Sequence, residues 1–250
     1  MWDTTNSYFS GQGVVLLAKR APTTGLPMGF IPVGNVSDLK ISVAVSNIEH
    51  KESRSGQRAI DLRLTTETKS SLSMTVENFL AANLADALRG ETVTIAGGSV
   101  TGEAVTVYLG KISSLKNLKV SAVVVKNGAA TLVDGTDYEV NLEAGSLKFA
   151  PAITGLLDGG VVTVDYTFAT QVKVDALTAP TSELYMRFEG LNTAEGNVPV
   201  VVEVFKFLTD PLKELALISD AIQQFTLEGS VLSDSLRATG SKFFQVQKLN

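Results

Sequence analysis

Cysteine is absent from the 250 residues, which excludes disulfide frameworks and thiolate metal centres. Histidine occurs once, as His50, so a Ser-His-Asp triad would have to use that one ring, which sits in a charged loop and reads as a solvent or interface residue. Charged residues make up 19% of the chain, below the ~25% of ordinary globular proteins. The net charge of −5 weighs against a phosphate-gripping surface, because nucleic-acid binders carry basic stripes. No apolar run approaches the ~20 residues of a membrane helix. The start, Met1-Trp2-Asp3-Thr4-Thr5-Asn6-Ser7, lacks the basic and apolar regions of a signal peptide, so a soluble, intracellular product is expected.

What is present is alternation. From Ile60 to Val76 the even positions Ile60, Leu62, Leu64, Leu72, Met74 and Val76 are apolar. The odd positions Asp61, Arg63, Thr65, Glu67, Lys69, Ser71, Ser73, Thr75 and Glu77 are polar. A period of two predicts a half-buried strand, far longer than the usual ~5–6 residues. Val36–Val45 alternates likewise, with Leu39, Ile41, Val43 and Val45 opposed to Asp38, Lys40 and Ser42. Between these strands, Asn47–Arg58 mixes both signs without periodicity and reads as a long exposed hairpin loop; loops of that length are usually functional or mobile.

An unbroken apolar run at Val14–Lys19 predicts a strand covered on both faces. Residues 1–13 before it read as a polar arm. One helix is expected over Phe79–Arg89, capped by Asn78, stopped at Gly90, with Leu80, Leu84, Ala87 and Leu88 as its apolar stripe. From Val120 to Phe168 short strands alternate with turn signals: Ala122–Lys126, Tyr138–Asn141, Ser146–Phe149 and Val161–Phe168, separated by Asn127-Gly128, Asp134-Gly135, Ala144-Gly145 and Asp158-Gly159. The main domain resumes with Glu183–Leu191, Val198–Leu208 and Ile222–Val231. Ser233–Asn250 reads as a polar arm with an adhesive patch at Phe243-Phe244. The fold class is therefore mainly β: a sandwich of residues 1–119 and 170–250 with one flanking helix and a long hairpin loop, carrying an inserted antiparallel β domain at 120–169.

Candidate chemistry is sparse. Asp134, Asp137 and Glu139 could supply oxygen ligands to calcium, but Asp-Gly also marks a hairpin turn, the favoured reading. The glycine pairs at Gly11/Gly13 and Gly97/Gly98 lack the strand–loop–helix order of a phosphate cradle. Glu183 and Glu203 are a conceivable carboxylate pair for a hydrolase, at ~5–10 Å. No catalytic residue, metal or cofactor is assigned, and no enzyme emerges.

The stretch Gly34-Asn35-Val36-Ser37-Asp38-Leu39-Lys40 through Glu49-His50-Lys51-Glu52-Ser53-Arg54-Ser55-Gly56-Gln57-Arg58, followed by Glu77-Asn78-Phe79-Leu80 to Gly90, resembles the major tail tube proteins of long-tailed bacteriophages. Phe207-Leu208-Thr209-Asp210-Pro211-Leu212 and Phe225-Thr226-Leu227-Glu228-Gly229 match the same pattern. The resemblance implies a tail-tube-type sandwich, six copies forming a ring, and rings stacking into a hollow virion tube that conducts genomic DNA during ejection. It implies a protein made in the bacterial host cytoplasm. Its partners would be further copies of itself, a tape measure protein and tail terminator or tip proteins, with transient passage of DNA and no membrane.

On that reading the lumen wall is drawn from Asp38, Lys40, Asp61, Arg63, Glu67, Lys69, Glu77, Glu189 and Glu228. The loop residues Glu49, His50, Lys51, Glu52, Arg54 and Arg58 would bridge adjacent rings, together with the terminal arms. The inserted domain would sit outside the tube. The competing reading is a β-sandwich surface module that binds a glycan or receptor through loop tips.

Overall fold

The computed structural model describes residues 7–181 and 183–249. The protein is mainly β. In chain order the strands are β1 (Gly11–Lys19), β2 (Ile31–Pro32), β3 (Val36–Lys51) and β4 (Ile60–Val76). After helix α1 (Ala81–Leu88) come β5 (Glu91–Ile95), β6 (Gly98–Thr106), β7 (Ile112–Ser114), β8 (Val120–Asn127), β9 (Ala130–Thr131), β10 (Tyr138–Asn141) and β11 (Ser146–Phe149). The chain continues through β12 (Val161–Phe168), β13 (Gln171–Asp175), β14 (Glu183–Asn192), β15 (Val198–Thr209), β16 (Phe225–Val231) and β17 (Phe244–Lys248).

Two compact units result, one of residues 1–92 and 174–250 and one of Val93–Lys173. The first is built on an eight-stranded antiparallel sheet in the order β2-β1-β14-β15-β16-β4-β3, with β17 added alongside β15. Its core lies on one face, where Val15, Leu17, Leu72, Met74, Val76, Leu184, Met186, Val204, Phe207, Phe225, Leu227 and Val231 pack together. Helix α1 contributes Ala87 and Leu84 to this cluster. A smaller cluster of Ala18, Tyr185 and Phe205 lies on the opposite face, since Ala18 and Leu17 alternate. That accounts for the apolar run only at its end: Ala18 is buried on this face, whereas Val14 on the same face is 47% exposed, so β1 is not covered on both faces throughout.

The opposite face is sealed there by ion pairs as well as apolar contact. The Arg20 guanidinium, 3% exposed, meets Glu183 at 2.7 Å and also Asp234, itself 4% exposed. Arg237 lies 3.6 Å over the Phe205 ring. The segment after β16 is thereby fastened to the sheet. Gly13 is required by close approach: a Cβ there would stand 2.2 Å from the Glu189 carbonyl oxygen across the β1–β14 ladder.

The second unit runs from Val93 to Lys173, wider than the expected 120–169, because β6 and β7 pair into its sheets. It holds a four-stranded sheet, β6-β12-β8-β9, and a three-stranded sheet, β10-β11-β7. Its own core includes Val107, Val125, Leu147, Phe149 and Val164. A buried polar network ties its strands together: the Tyr166 hydroxyl donates to Glu103 and accepts from Asn117 Nδ2 at 2.9 Å. Burial, reinforced by the Glu103 contact, pushes the Tyr166 pKa up to about 12. The strands at Tyr138–Asn141, Ser146–Phe149 and Val161–Phe168 stand where the alternation and turn signals put them.

Four other expectations need correcting. The long loop is shorter: β3 continues to Lys51, so Glu49, His50 and Lys51 belong to a strand and only residues 52–59 form the connection. Helix α1 begins at Ala81, its N-cap position is Leu80, and no side chain caps it. Asn83 instead turns inward, its Nδ2 donating to the Val33 carbonyl at 2.7 Å and to Asn78 O at 3.1 Å, while Leu80 stays 46% exposed. The C-terminal stretch is not a free arm, because β17 pairs with β15 from Phe244↔Val204 to Lys248↔Val200. Residues 222–224 lie outside β16, which starts at Phe225. Much of the expected N-terminal arm, residues 1–6, falls outside the described residues.

Candidate assembly surface on the projecting hairpin

Strand β16 pairs with β4 only from Val76 to Ser70. Beyond Ser70 the β3–β4 hairpin leaves the sheet and continues as a two-stranded ribbon through Glu49↔Arg63 and His50↔Leu62 to Lys51↔Ile60. Such a ribbon has no core of its own, and isolated hairpins are marginally stable in water.

Residues directly opposite each other in an antiparallel ladder share a face. Leu39↔Met74 and Ile41↔Leu72 lie on the core face, and Val43↔Ser70 and Val45↔Thr68 continue it outward. The register then shifts: Ser46 pairs with Glu67 but Asn47 pairs with Thr65, leaving Thr66 as an extra residue, a β-bulge. Past the bulge the core-side face carries Asn47/Thr65 and Glu49/Arg63, and the outer face carries Ile48/Leu64 and His50/Leu62. Side-chain contacts agree, since Thr65 Oγ1 donates to Asn47 Oδ1 at 3.0 Å and Arg63 lies 3.9 Å from Glu49.

The ribbon is therefore apolar on one face near its base and on the other near its tip. None of these side chains is covered. Val43 is 55% exposed, Val45 50%, Ile48 63%, Leu62 49% and Leu64 56%. Exposed apolar side chains gathered on both sides of one ribbon mark an interaction surface rather than scattered surface residues.

The tip is shaped by Glu52. Its carboxylate accepts from the amides of Arg54 at 2.7 Å and Ser55 at 2.9 Å, and from the Ser55 hydroxyl. Those bonds, led by the Ser55 hydroxyl, hold the Glu52 pKa below its ordinary value. His50 Nδ1 stands 2.6 Å from Asp61 Oδ1, with both side chains largely exposed. Among the described residues, the charged ends of Lys51, Arg54 and Arg58 meet no carboxylate.

The bulge also divides the expected lumen wall. Asp38/Thr75, Lys40/Ser73, Ala44/Lys69 and Ser46/Glu67 share the outer face, and Glu228, opposite Ser73, joins them. Glu77 follows the core-facing Val76, and Glu189 follows the core-packed Phe188, so both alternate to the outer side. Arg63 lies past the bulge on the core side with Glu49, and Asp61 sits at a second register shift. One flat wall cannot contain all nine residues. On the outer face the cations are tied to carboxylates: Lys40–Asp38 at 2.6 Å, Lys69–Glu67 at 3.0 Å, Arg187–Glu189 at 2.7 Å, and Lys213–Glu228. Glu77 accepts from Asn35 Nδ2.

The other candidate groups are used locally. Glu183 bridges Arg20 and Lys206, and Glu203 accepts from Arg187 at 2.6 Å and from Gln245 Nε2 at 2.5 Å. Asp137 accepts from the Val133 amide at 2.8 Å and Glu139 lies 3.6 Å from Lys148. No group of three or more His, Asp or Glu residues placed to hold a metal occurs among the described residues. No helix of the described residues is long and apolar enough to cross a membrane. Sequence reasoning missed a second exposed apolar stretch, Leu217, Ile218 and Ile222 (77%, 96% and 82% exposed), in the irregular segment between β15 and β16. Three apolar residues without strand or helix periodicity were the available signal.

A family model described as "Protein of unknown function UCP028589" matches residues 8–247. The chain belongs to this family. No curated protein matches it. The family match spans both units, including the projecting hairpin and most of strand β17 alongside β15.

Proposed function

We propose that this family member is a structural virion protein: six copies close into a ring, and stacked rings form the hollow tail tube that carries genomic DNA to the host. The observation that carries the reading is the β3–β4 ribbon, which leaves its sheet at Ser70 and exposes apolar side chains on both faces. Nothing among the described residues covers those faces. A long exposed ribbon invites uncontrolled association unless specific neighbours occupy it.

Two uncovered faces displaced along one ribbon suit two different neighbours, which makes the contact head-to-tail rather than self-complementary. A head-to-tail contact closes into a ring when its rotation allows, and otherwise propagates as a filament. A tube needs both. The outer face of β3, β4, β14 and β16 serves as the wall: Lys40, Lys69 and Arg187 there, and Lys213 from the β15–β16 connection, are each held by a carboxylate, so among these residues passing phosphates meet little free positive charge. At a screening length of ~8 Å only such wall charges reach the DNA. Tape measure and terminator or tip proteins are the corresponding partners, within the virion tail.

Negative-stain imaging of the purified chain at rising concentration tests the reading. Annular particles with sixfold symmetry and stacks of them are expected; a monomer at every concentration and salt condition would exclude it.

A further inference from the structure

Between β15 and β16 the chain covers residues 210–224 without helix or strand, although their order is that of a helix. Asp210-Pro211 is a helix start, a carboxylate at the N-cap followed by proline in the first turn. Leu212-Lys213-Glu214-Leu215-Ala216-Leu217 are all strong helix formers. Taken alone, Leu217, Ile218 and Ile222 show no period. Joined to the half-buried Leu212 and Leu215, with Leu217 set aside, they do: at ~3.6 residues per turn Leu212, Leu215, Ala216, Ile218 and Ile222 share one side. Lys213, Glu214, Leu217 and Asp220 fall on the other. Helices of about a dozen residues are marginal in water on propensity alone and form when their apolar side is covered. Here that side is bare, with Ile218 96% and Ile222 82% exposed.

Both ends of the segment are fastened beside α1, at opposite ends of that helix. The Leu212 amide donates to the Ala87 carbonyl at 2.8 Å, and Arg89 Nε and Nη2 donate to the Thr209 carbonyl at 3.2 and 2.8 Å. At the far end the Phe225 ring meets Phe79 edge-on, with centroids 5.5 Å apart, and Phe79 lies just before the start of α1. The segment therefore leads from the C-terminal end of α1 back to its N-terminal end, antiparallel to it. The lengths agree. Thr209 pairs with Gly229, and Phe225 stands further along β16 by ~13 Å, at ~3.3 Å per residue. A helix over 211–222 spans ~18 Å, at ~1.5 Å per residue. In that register Leu215 comes opposite Leu84, while Ile218 and Ile222 come opposite Leu80 and Phe79, which are themselves exposed.

We propose that residues 211–222 are a closing strap: they fold as a second helix, antiparallel to α1, that lays Leu215, Ile218 and Ile222 on Leu84, Leu80 and Phe79 of the same chain. The irregular path in the structure is its open state. Closing hides Ile218 and Ile222 from other molecules and opening presents them, so the strap sets how readily the chain sticks to its surroundings. This holds whether or not the chain forms a tube.

Because the chain has no cysteine, a disulfide can trap the closed state in the full protein. Leu80→Cys/Ile218→Cys should cross-link within one chain under mild oxidation, at a rate independent of protein concentration. That rate should be at least tenfold above the rate for Leu80→Cys/Leu217→Cys, whose second thiol lies on the far side of the helix. Amides of residues 213–221 should exchange at least tenfold more slowly in the oxidised Leu80→Cys/Ile218→Cys protein than in the reduced one. Equal rates for the two pairs, or no gain in protection, overturns the helix. Cross-links that form only between chains assign the apolar side to a second copy and overturn the strap. Should the cysteine variants misfold, single changes decide: Ile218→Asp should speed tryptic cleavage after Lys213 at least threefold over the parent chain, and Leu217→Asp should not. Equal effects of the two overturn the proposal.

Discussion

Replacing Leu62 and Leu64 by aspartate should abolish assembly without unfolding the subunit. Burying a whole leucine or isoleucine side chain contributes about 1.5–3 kcal/mol. Ile48, Leu62 and Leu64 retain 63%, 49% and 56% of their exposure, so completing their burial against a neighbour is worth about 1 kcal/mol or more apiece. Removing two of the three, and bringing carboxylates to the contact, weakens it by about 3 kcal/mol, or roughly 100-fold in association. Within the free subunit the same side chains already face water, so stability should change by less than about 1 kcal/mol, the span of strand propensities. The assay is the concentration at which polymer first pellets, alongside thermal unfolding. Thr65→Asp, on the polar face of the same ribbon beside Asn47, is the control and should assemble normally. Unchanged pelleting of the double variant, or equal loss in the control, would refute the facial assignment made from the bulge.

Three further outcomes are expected. Arg20→Ala should lower stability by about 3–5 kcal/mol in denaturant titration, because the 4%-exposed Asp234 carboxylate loses its partner. Acidification should separate two carboxylates. Glu183, held low first by its bond to Lys206, stabilises the fold above about pH 4.5 and loses that contribution as pH falls through its depressed folded value. Asp86, raised by burial, carries a penalty that is relieved as pH falls; Asp86→Asn should therefore be more stable than the parent at pH 7, with the gain vanishing in acid. Residues 93–173 expressed alone should unfold cooperatively, since this unit has its own core from Val105 to Phe168; a noncooperative transition would deny its independence.

Alternation carried most of the architecture. In the second unit the turn glycines punctuate strands so strongly that Tyr138–Asn141 and Ser146–Phe149 could be bounded to the residue. Gly145 shows why: its φ of +61° and a carbonyl 2.0 Å from any Cβ leave no other choice. The outer limits of that unit escaped because β6, with Glu103 and Ala104 amid small residues, alternates weakly. On the hairpin, β4 keeps its parity from Leu62 to Val76, whereas the apolar positions of β3 shift from the odd Val45 to the even Ile48. Only pairing reconciles the two, through the extra residue Thr66. The mixed charges of Asn47–Lys51 disguised strand as loop, since a ribbon exposed on both sides has no inward face to mark it. The nearness of Lys19 to Asp86 was invisible for a different reason: the two lie far apart in sequence, and the charge of one reaches the other only through packing.

If the ribbon finds its missing neighbours in sister molecules, its outer face must become buried as copies assemble. Because the chain has no cysteine, Leu64→Cys places a single thiol on the outer face, and its labelling rate can be followed from dilute to concentrated protein. Free reactivity is expected in dilute solution, and at least tenfold protection once rings or tubes appear. Rapid labelling at every concentration, whatever else the chain assembles into, would contradict it.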